Sequence, residues 1–374
     1  MAMTDSSSDN LGQRLRRFFG RMVGGSNDQA DAKPPQNTSG GTSFVDPLPQ
    51  SNFAAPIHRD SPTPNTDAPT TLAAEMFEPG LTRPVIFEPA LKHWPKAFRG
   101  GEPQFKTPEF AAAWHRDRLL ALGHVLRTIE QSEHAESLVV RGSVLLATWL
   151  GDDARRPGDL DFVVLPSDWK VNDPQAKQMI DDLVAALQAS EVSDSIQIPD
   201  QMFAAEEIWT YERAPGLRVI VPWHDSREHI GGTVQLDFVF GEELPSPAIE
   251  MSMLIGDQAP IEVQAASAEQ SLAWKLLWLT TDMHASGKDL YDAVLLAEFV
   301  PLDARLLKRT FEHTDDPLGR DFATFTPRNV RDWYVEWEHF QQEYPLVQGT
   351  GAEWKDRLVQ ALRPVWQQLG ESPD

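Results

Sequence analysis

The stretch RGSVLLATWLGDDARRPGDLDFVV, residues 141–164, joins the end of one strand to the start of another through a short helix and a loop. SLVVRG (137–142) reads as a short strand, Ser143 to Leu150 as a short helix, and DLDFVVL (159–165) as a second strand. Residues i and i+2 of a strand point to one side. Asp159 and Asp161 therefore project together, while Leu160 and Phe162 face the other way. Two carboxylates so close repel each other unless a cation lies between them. A divalent metal answers this economically: hard Mg²⁺ takes oxygen ligands and keeps room for substrate phosphates. Asp237, in TVQLDFVF (233–240), repeats the pattern on another strand. If the two strands are neighbours, three carboxylates converge: Asp159, Asp161 and Asp237.

Three carboxylates around Mg²⁺ suit phosphoryl or nucleotidyl transfer, in which metals clamp the attacking and leaving oxygens. Gly142 and Ser143 add an anion cradle. A strand ending in glycine and followed by a helix start presents free N–H groups, and the serine hydroxyl donates as well. Asp-x-Asp alone is equally a solvated strand edge. Its combination with a Gly-Ser helix start and a third strand aspartate points to catalysis.

Outward from this stretch, TPEFAAAWHRDRLLALGHVLRTIE (107–130) reads as a helix capped by Thr107, with Pro108 in its first turn and a stripe of Leu119, Leu122, Leu126 and Ile129. Asp173-Pro174 starts another helix. EEIWTYER, LRVIVPW, GTVQLDFVFGE and IEVQAAS read as strands. Beyond them the pattern is helical: a capping box at Ser267–Gln270 opens SLAWKLLWLTTDM, and KDLYDAVLLAEF, NVRDWYVEWEHF and EWKDRLVQALRPVWQQL follow. The order predicts an α/β (α+β) fold, with a core over 76–260 and a helical domain over 261–374. Residues 1–75 read as a disordered tail, poor in large apolar residues. It contains one short basic amphipathic segment, LGQRLRRFFGRMVGG, either a membrane-surface or partner-docking helix or a tail with no specific role.

The net charge is −23, of which residues 1–75 hold −2, leaving −21 on the remainder. A nucleic-acid binder normally shows a basic footprint, so the charge counts against an extended duplex-binding surface. It does not exclude a small acceptor end, or a nucleotide carried with Mg²⁺. There is no cysteine, which excludes disulfides and Cys-ligated zinc. No apolar run approaches the about 20 residues needed to cross a bilayer, and no secretory h-region precedes the first charges. The expectation is a cytoplasmic protein without stable membrane insertion.

The Gly-Ser, spacer, Asp-x-Asp pattern resembles the nucleotidyltransferase superfamily with a DNA-polymerase-β-like core. More closely, the chain resembles the AbiEii-type nucleotidyltransferase toxins of bacterial type IV toxin–antitoxin systems. These carry a second block, a helix with a lone lysine followed by a (K/R)DLYD segment. Here it reads AEQSLAWKLLWLTTDMHASGKDLYDAVLLAE (268–298), with Lys275 and Asp292 in the matching places and Asp289 beside them. The resemblance spans about 115–300. It implies a mixed-sheet core, NTP as substrate, Asp237 as the third carboxylate, a tRNA 3′ end as acceptor, and a cognate antitoxin. Two features depart from the pattern: the 15-residue spacer between Ser143 and Asp159, and Asp282 where the family often carries arginine.

The residues of the second block agree with that reading. Positions 272–279 are apolar except for Lys275. A buried lone ammonium is costly unless phosphate or Asp292 pairs it; the alternative is a lysine that snorkels to the surface. The expected roles follow. Gly142, Ser143, Lys275 and a spacer arginine, Arg155 or Arg156 with Arg156 the named candidate, hold the phosphates. Asp159, Asp161 and Asp237 hold Mg²⁺, and Asp237 helps deprotonate the attacking hydroxyl. Asp292 positions Lys275 or takes part in proton transfer. A protein hydroxyl (AMPylation) or a small molecule stays open as acceptor. A different class of reading is a nucleotide-binding interaction protein without turnover. HDSREH (224–229) fits neither zinc-protease spacing and reads as a hairpin loop. Trp333, Trp337 and Phe340 read as the core stripe of one helix.

Overall fold

In the computed structural model, Thr107 caps the first long helix as its side chain accepts from the Phe110 N–H at 3.2 Å, and Pro108 sits where no donor is needed. The structure describes residues 81–373 apart from 88–97, 194–195, 200–203, 209–214, 228–229, 257, 283 and 315–320. The tail over 1–75 and its basic segment lie outside these residues.

That helix, α1 (Pro108–Glu130), buries Trp114, Leu122, Val125, Leu126 and Ile129. The chain then runs through β1 (Leu138–Arg141), α2 (Ser143–Leu150), β2 (Asp159–Val164) and α3 (Pro174–Ala189). Next come β3 (Ile196–Gln197), β4 (Ala204–Glu207), β5 (Gly216–Asp225), β6 (Ile230–Val239), β7 (Ile249–Met253) and β8 (Ile261–Ala265). These strands form one eight-stranded sheet in the order β7-β8-β1-β2-β6-β5-β3, with β4 also pairing β5. It is mixed: β6 runs parallel to β2 and β8 parallel to β1, while the other pairings are antiparallel.

Period-two alternation separates the two faces of the sheet. Leu160, Phe162, Leu236 and Phe238 are all buried on one face, where the Phe162 and Phe238 rings stack at 5.3 Å. This face joins α1 and α3 in a single apolar core. The opposite face of β2 and β6 carries the aspartates.

The strand read at 206–213 is described only over Ala204–Glu207, since 209–214 lie outside the described residues. The strand Ile249–Met253 had no clear signal in the sequence. It is an edge strand with Ile249, Glu250 and Ser252 exposed, so it lacks the buried alternation that marks an inner strand.

After β8 the chain is mostly helical: α4 (Ala268–Thr281), α5 (Gly287–Phe299), α6 (Ala304–Glu312), α7 (Pro327–Asp332), α8 (Trp337–Glu343), α9 (Gly351–Ala361) and α10 (Arg363–Leu369). They enclose a second core that includes Leu276, Leu290, Phe311, Leu358 and Trp366. The capping box at 267–270 forms by half. Ser267 accepts from the Gln270 N–H at 3.2 Å, but the Gln270 amide turns away to Thr310.

Two helices expected as continuous are split. The segment 329–340 breaks at Trp333, whose backbone is extended, so that Val335–Glu336 pairs with Ala285–Ser286. Trp333 therefore does not share one helical stripe with Trp337 and Phe340. The segment 353–369 breaks at Leu362, because Pro364 cannot donate to a continuing helix and disfavours helical backbone before it. Among the described residues no helix is long and apolar enough to cross a membrane.

Candidate active site

At the end of β1 the backbone turns at Gly142 with φ 84° and ψ −155°, and α2 starts at the next residue. Only glycine adopts this region readily. A β-carbon at 142 would also overlap Asp161 Oδ2. The position thus serves twice, turning the chain into the helix and letting a carboxylate lie against its backbone. Ser143 is buried, and its hydroxyl donates to Asp159 Oδ1 at 3.0 Å. The first N–H groups of α2 have no partner within the helix, as at every helix start.

The register fixes what meets these groups. Asp237 of β6 lies directly beside Asp161 of β2, and Gln235 beside Asp159. Neighbours aligned in this way project from the same face of a sheet. Arg141 of β1 is opposite Asp161, and Arg218 of β5 is opposite Asp237. One row across four strands therefore reads Arg141, Asp161, Asp237, Arg218.

The two arginines behave differently. Arg218 clamps Asp237 with both prongs, Nε to Oδ1 at 2.7 Å and Nη2 to Oδ2 at 2.6 Å. Arg141 reaches past Asp161 to Glu242 at 2.6 Å and lies over the Trp274 and Trp278 rings at 5.3 and 5.6 Å. Asp159 and Asp161 thus have no ion-pair partner among the described residues. Burial, then the neighbouring Asp159 and Asp237 carboxylates, push the Asp161 carboxyl well above its usual value, against the pull of Arg141 and Lys275. Three carboxylates and a serine hydroxyl form a hard-oxygen donor set of the kind Mg²⁺ takes.

Lys275 of α4 is buried, with Nζ at 2.6 Å from Asp289 Oδ1 and 3.2 Å from Asp292 Oδ2. Burial alone would lower its pKa; Asp289 and Asp292 outweigh that and hold it above the ordinary value. It does not snorkel. Asp292 is also buried. Burial would raise its pKa, but Arg155 and then Lys275 bring it below the usual range. Arg155 donates to it through Nε at 2.9 Å and Nη2 at 2.7 Å.

The spacer loop is therefore tied to the helices, and the Tyr291 hydroxyl adds a bond to the Asp153 carbonyl at 2.8 Å. Of the two spacer arginines, Arg155 joins this network while Arg156 is exposed. Asp282 ends α4 as its C-cap. His224 lies on β5 opposite Gly231, and Glu228 and His229 lie outside the described residues.

Among the described residues, one group of three metal-ligand side chains brings its donor atoms within 4.8 Å of one another: Glu133, His134 and Asp182, at the far end of α1 and on α3. The three strand aspartates share a face without forming such a group, and both oxygens of Asp237 accept from Arg218. Reading the sequence singled out neither Arg141 nor Arg218. The available signal was the one that marked Lys275, a single charge within an apolar run, here LRVIVPW.

A family described as nucleotidyl transferase AbiEii toxin, Type IV TA system, matches residues 124–363. The match extends through the C-terminal helices, beyond the limit near residue 300 set by the motifs alone. Among solved structures, the chain is similar to MenT4, a nucleotidyltransferase toxin from Mycobacterium tuberculosis H37Rv, with 18% identity, a TM-score of 0.47, and coverage of 69% of this chain and 89% of that one. It is also similar to JHP933 from Helicobacter pylori, with 14% identity, a TM-score of 0.44, and coverage of 71% and 95%. No curated protein matches.

Proposed function

The chain belongs to the AbiEii nucleotidyltransferase toxin family, and from that premise we propose that it transfers a nucleoside monophosphate from an NTP to the 3′-terminal hydroxyl of tRNA in the cytoplasm, restrained by a cognate antitoxin. The observation that carries the site assignment is the side-by-side register of Asp161 and Asp237 next to the Gly142 turn.

Asp159, Asp161 and Asp237 would hold Mg²⁺. When bound, the metal supplies positive charge at the α-phosphate and lowers the pKa of a coordinated hydroxyl. The α2 amides and the Ser143 hydroxyl receive the β- and γ-phosphate oxygens. Lys275, kept protonated by Asp289 and Asp292, balances charge on the leaving pyrophosphate. The acceptor oxygen bonds to the α-phosphorus, the bond from that phosphorus to the β-phosphate oxygen breaks, and the acceptor's proton passes to the Asp237 carboxylate. Asp292 is a positioning residue: with Lys275 and Arg155 both bound to it and its pKa depressed, it orients rather than exchanges a proton.

The charge of −21 over residues 76–374 supports a second acceptor, a protein hydroxyl, because it repels a polyanion. Incubation with each labelled NTP, Mg²⁺ and either total tRNA or a tRNA-free lysate tests both. Label on tRNA that disappears in Asp161→Asn supports the first reading; label on protein alone supports the second. No transfer from any NTP to either pool overturns both.

A further inference from the structure

Buried at the edge of the carboxylate row, Arg218 takes up both oxygens of Asp237 and is itself almost wholly enclosed, with 8% of its side chain exposed against 7% for Asp237. A carboxylate held at 2.7 and 2.6 Å by two guanidinium prongs offers its best lone pairs to the arginine. Asp161, aligned with Asp237 on the neighbouring strand, has no such partner.

We propose that Arg218 is a positioning residue that acts as a built-in counter-ion. It holds the Asp237 carboxylate beside Asp161, and it competes with a divalent cation for that carboxylate, yielding one oxygen when the cation binds. The inference rests on the reading of Asp159, Asp161 and Asp237 as the metal centre.

Two points support it. The pair joins directly opposed residues of β5 and β6, so the guanidinium approaches Asp237 from the side away from Asp161. Like charges repel in a low-dielectric site, so a fixed guanidinium next to a ligand weakens cation binding.

A merely structural ion pair and a competing counter-ion predict different results for metal affinity. The full chain is titrated with Mn²⁺ alone, with free Mn²⁺ followed by electron paramagnetic resonance, in the wild type, Asp161→Asn, Arg218→Met and Arg218→Lys. The expected outcome is Mn²⁺ binding that is lost in D161N and tightened by about tenfold in R218M. Mn²⁺ should also raise the melting temperature of R218M by more than that of the wild type. If R218M folds only when Mn²⁺ is present, that supports the proposal. If it does not fold at all, R218K decides: an ammonium can hold at most one oxygen well, so affinity should rise by about threefold. Unchanged or weakened Mn²⁺ binding in these Arg218 variants, with the D161N loss intact, overturns this inference alone. Mn²⁺ binding indifferent to D161N overturns the metal-centre reading and this inference with it.

Discussion

Asp292→Asn should destabilise the protein far more than any neighbouring isosteric change. The Asp292 side chain is 1% exposed and accepts from Arg155 at 2.9 and 2.7 Å and from Lys275 at 3.2 Å. An amide there withdraws the anion from two buried cations and turns N–H groups toward one of them. Lys275 keeps Asp289, but among the described residues Arg155 keeps Tyr344 alone, its hydroxyl at 3.5 Å and its ring at 5.8 Å. Breaking a buried pair by removing one partner costs about 3–5 kcal/mol, a large share of a typical stability of about 5–15 kcal/mol. Asp289→Asn should cost less, because Lys275 then still has Asp292.

The pH dependence supplies the sign. The folded Asp292 pKa is depressed, so its contribution is complete above the unfolded aspartate value, about 3.9. It is lost as pH falls through the lower folded value. Urea unfolding of wild type and D292N should therefore differ fully at neutral pH and converge as pH drops below about 3.9. A D292N loss under about 1 kcal/mol at pH 7, or a difference that persists unchanged into acid, would refute the clamp reasoning.

Gly142→Ala forces an L-residue into a positive-φ region and drives its β-carbon into Asp161. It should cost about 1–3 kcal/mol, and a shift of the carboxylate by about 1 Å should lower transfer by about 100-fold; near-normal kcat with an unchanged melting temperature would contradict it. Asp161→Asn should abolish transfer yet stabilise the metal-free protein by about 1 kcal/mol, since burial and two like-charged neighbours oppose its ionisation; calorimetry in EDTA checks the sign. Arg156→Ala should change stability by less than about 0.5 kcal/mol, whereas Arg155→Ala, which leaves the buried Asp292 carboxylate with Lys275 as its remaining cation, should cost several times as much; parallel thermal melts separate them.

Local pattern made much of this legible. The common side of Asp159 and Asp161 follows from strand alternation, and the turn at Gly142 from the glycine ahead of a helix start. Lys275 stands out as one charge in an apolar helix. The parts that could not be read depend on which strands become neighbours. The sequence around 218 shows a charge in a buried strand but not its partner, which lies 19 residues away and is fixed by the β5–β6 register. Arg155 and Arg156 are equivalent as text. The packing of α5 against the spacer separates them, through an aspartate 137 residues further along. Helix breaks at Trp333 and Leu362 escaped for similar reasons. A two-residue strand pairing interrupts the first, and at the second the proline was outweighed by an otherwise continuous apolar stripe.

The charges of the site can be counted through its ion pairs and its cross-strand row. Six carboxylates take part: Asp159, Asp161, Asp237, Glu242, Asp289 and Asp292. Four cations lie among them: Arg141, Arg155, Arg218 and Lys275. These cations are not spread evenly. Glu242, Asp237, Asp289 and Asp292 each have a guanidinium or ammonium within hydrogen-bonding distance. Asp159 and Asp161 have the Ser143 hydroxyl and the Gly142 backbone instead. Among the described residues the four outer carboxylates each have a cationic partner, and Asp159 and Asp161 do not. The two carboxylates without a cationic partner among the described residues are thus the ones that open the second strand of the 141–164 stretch, directly after the Gly142 turn and the helix it starts.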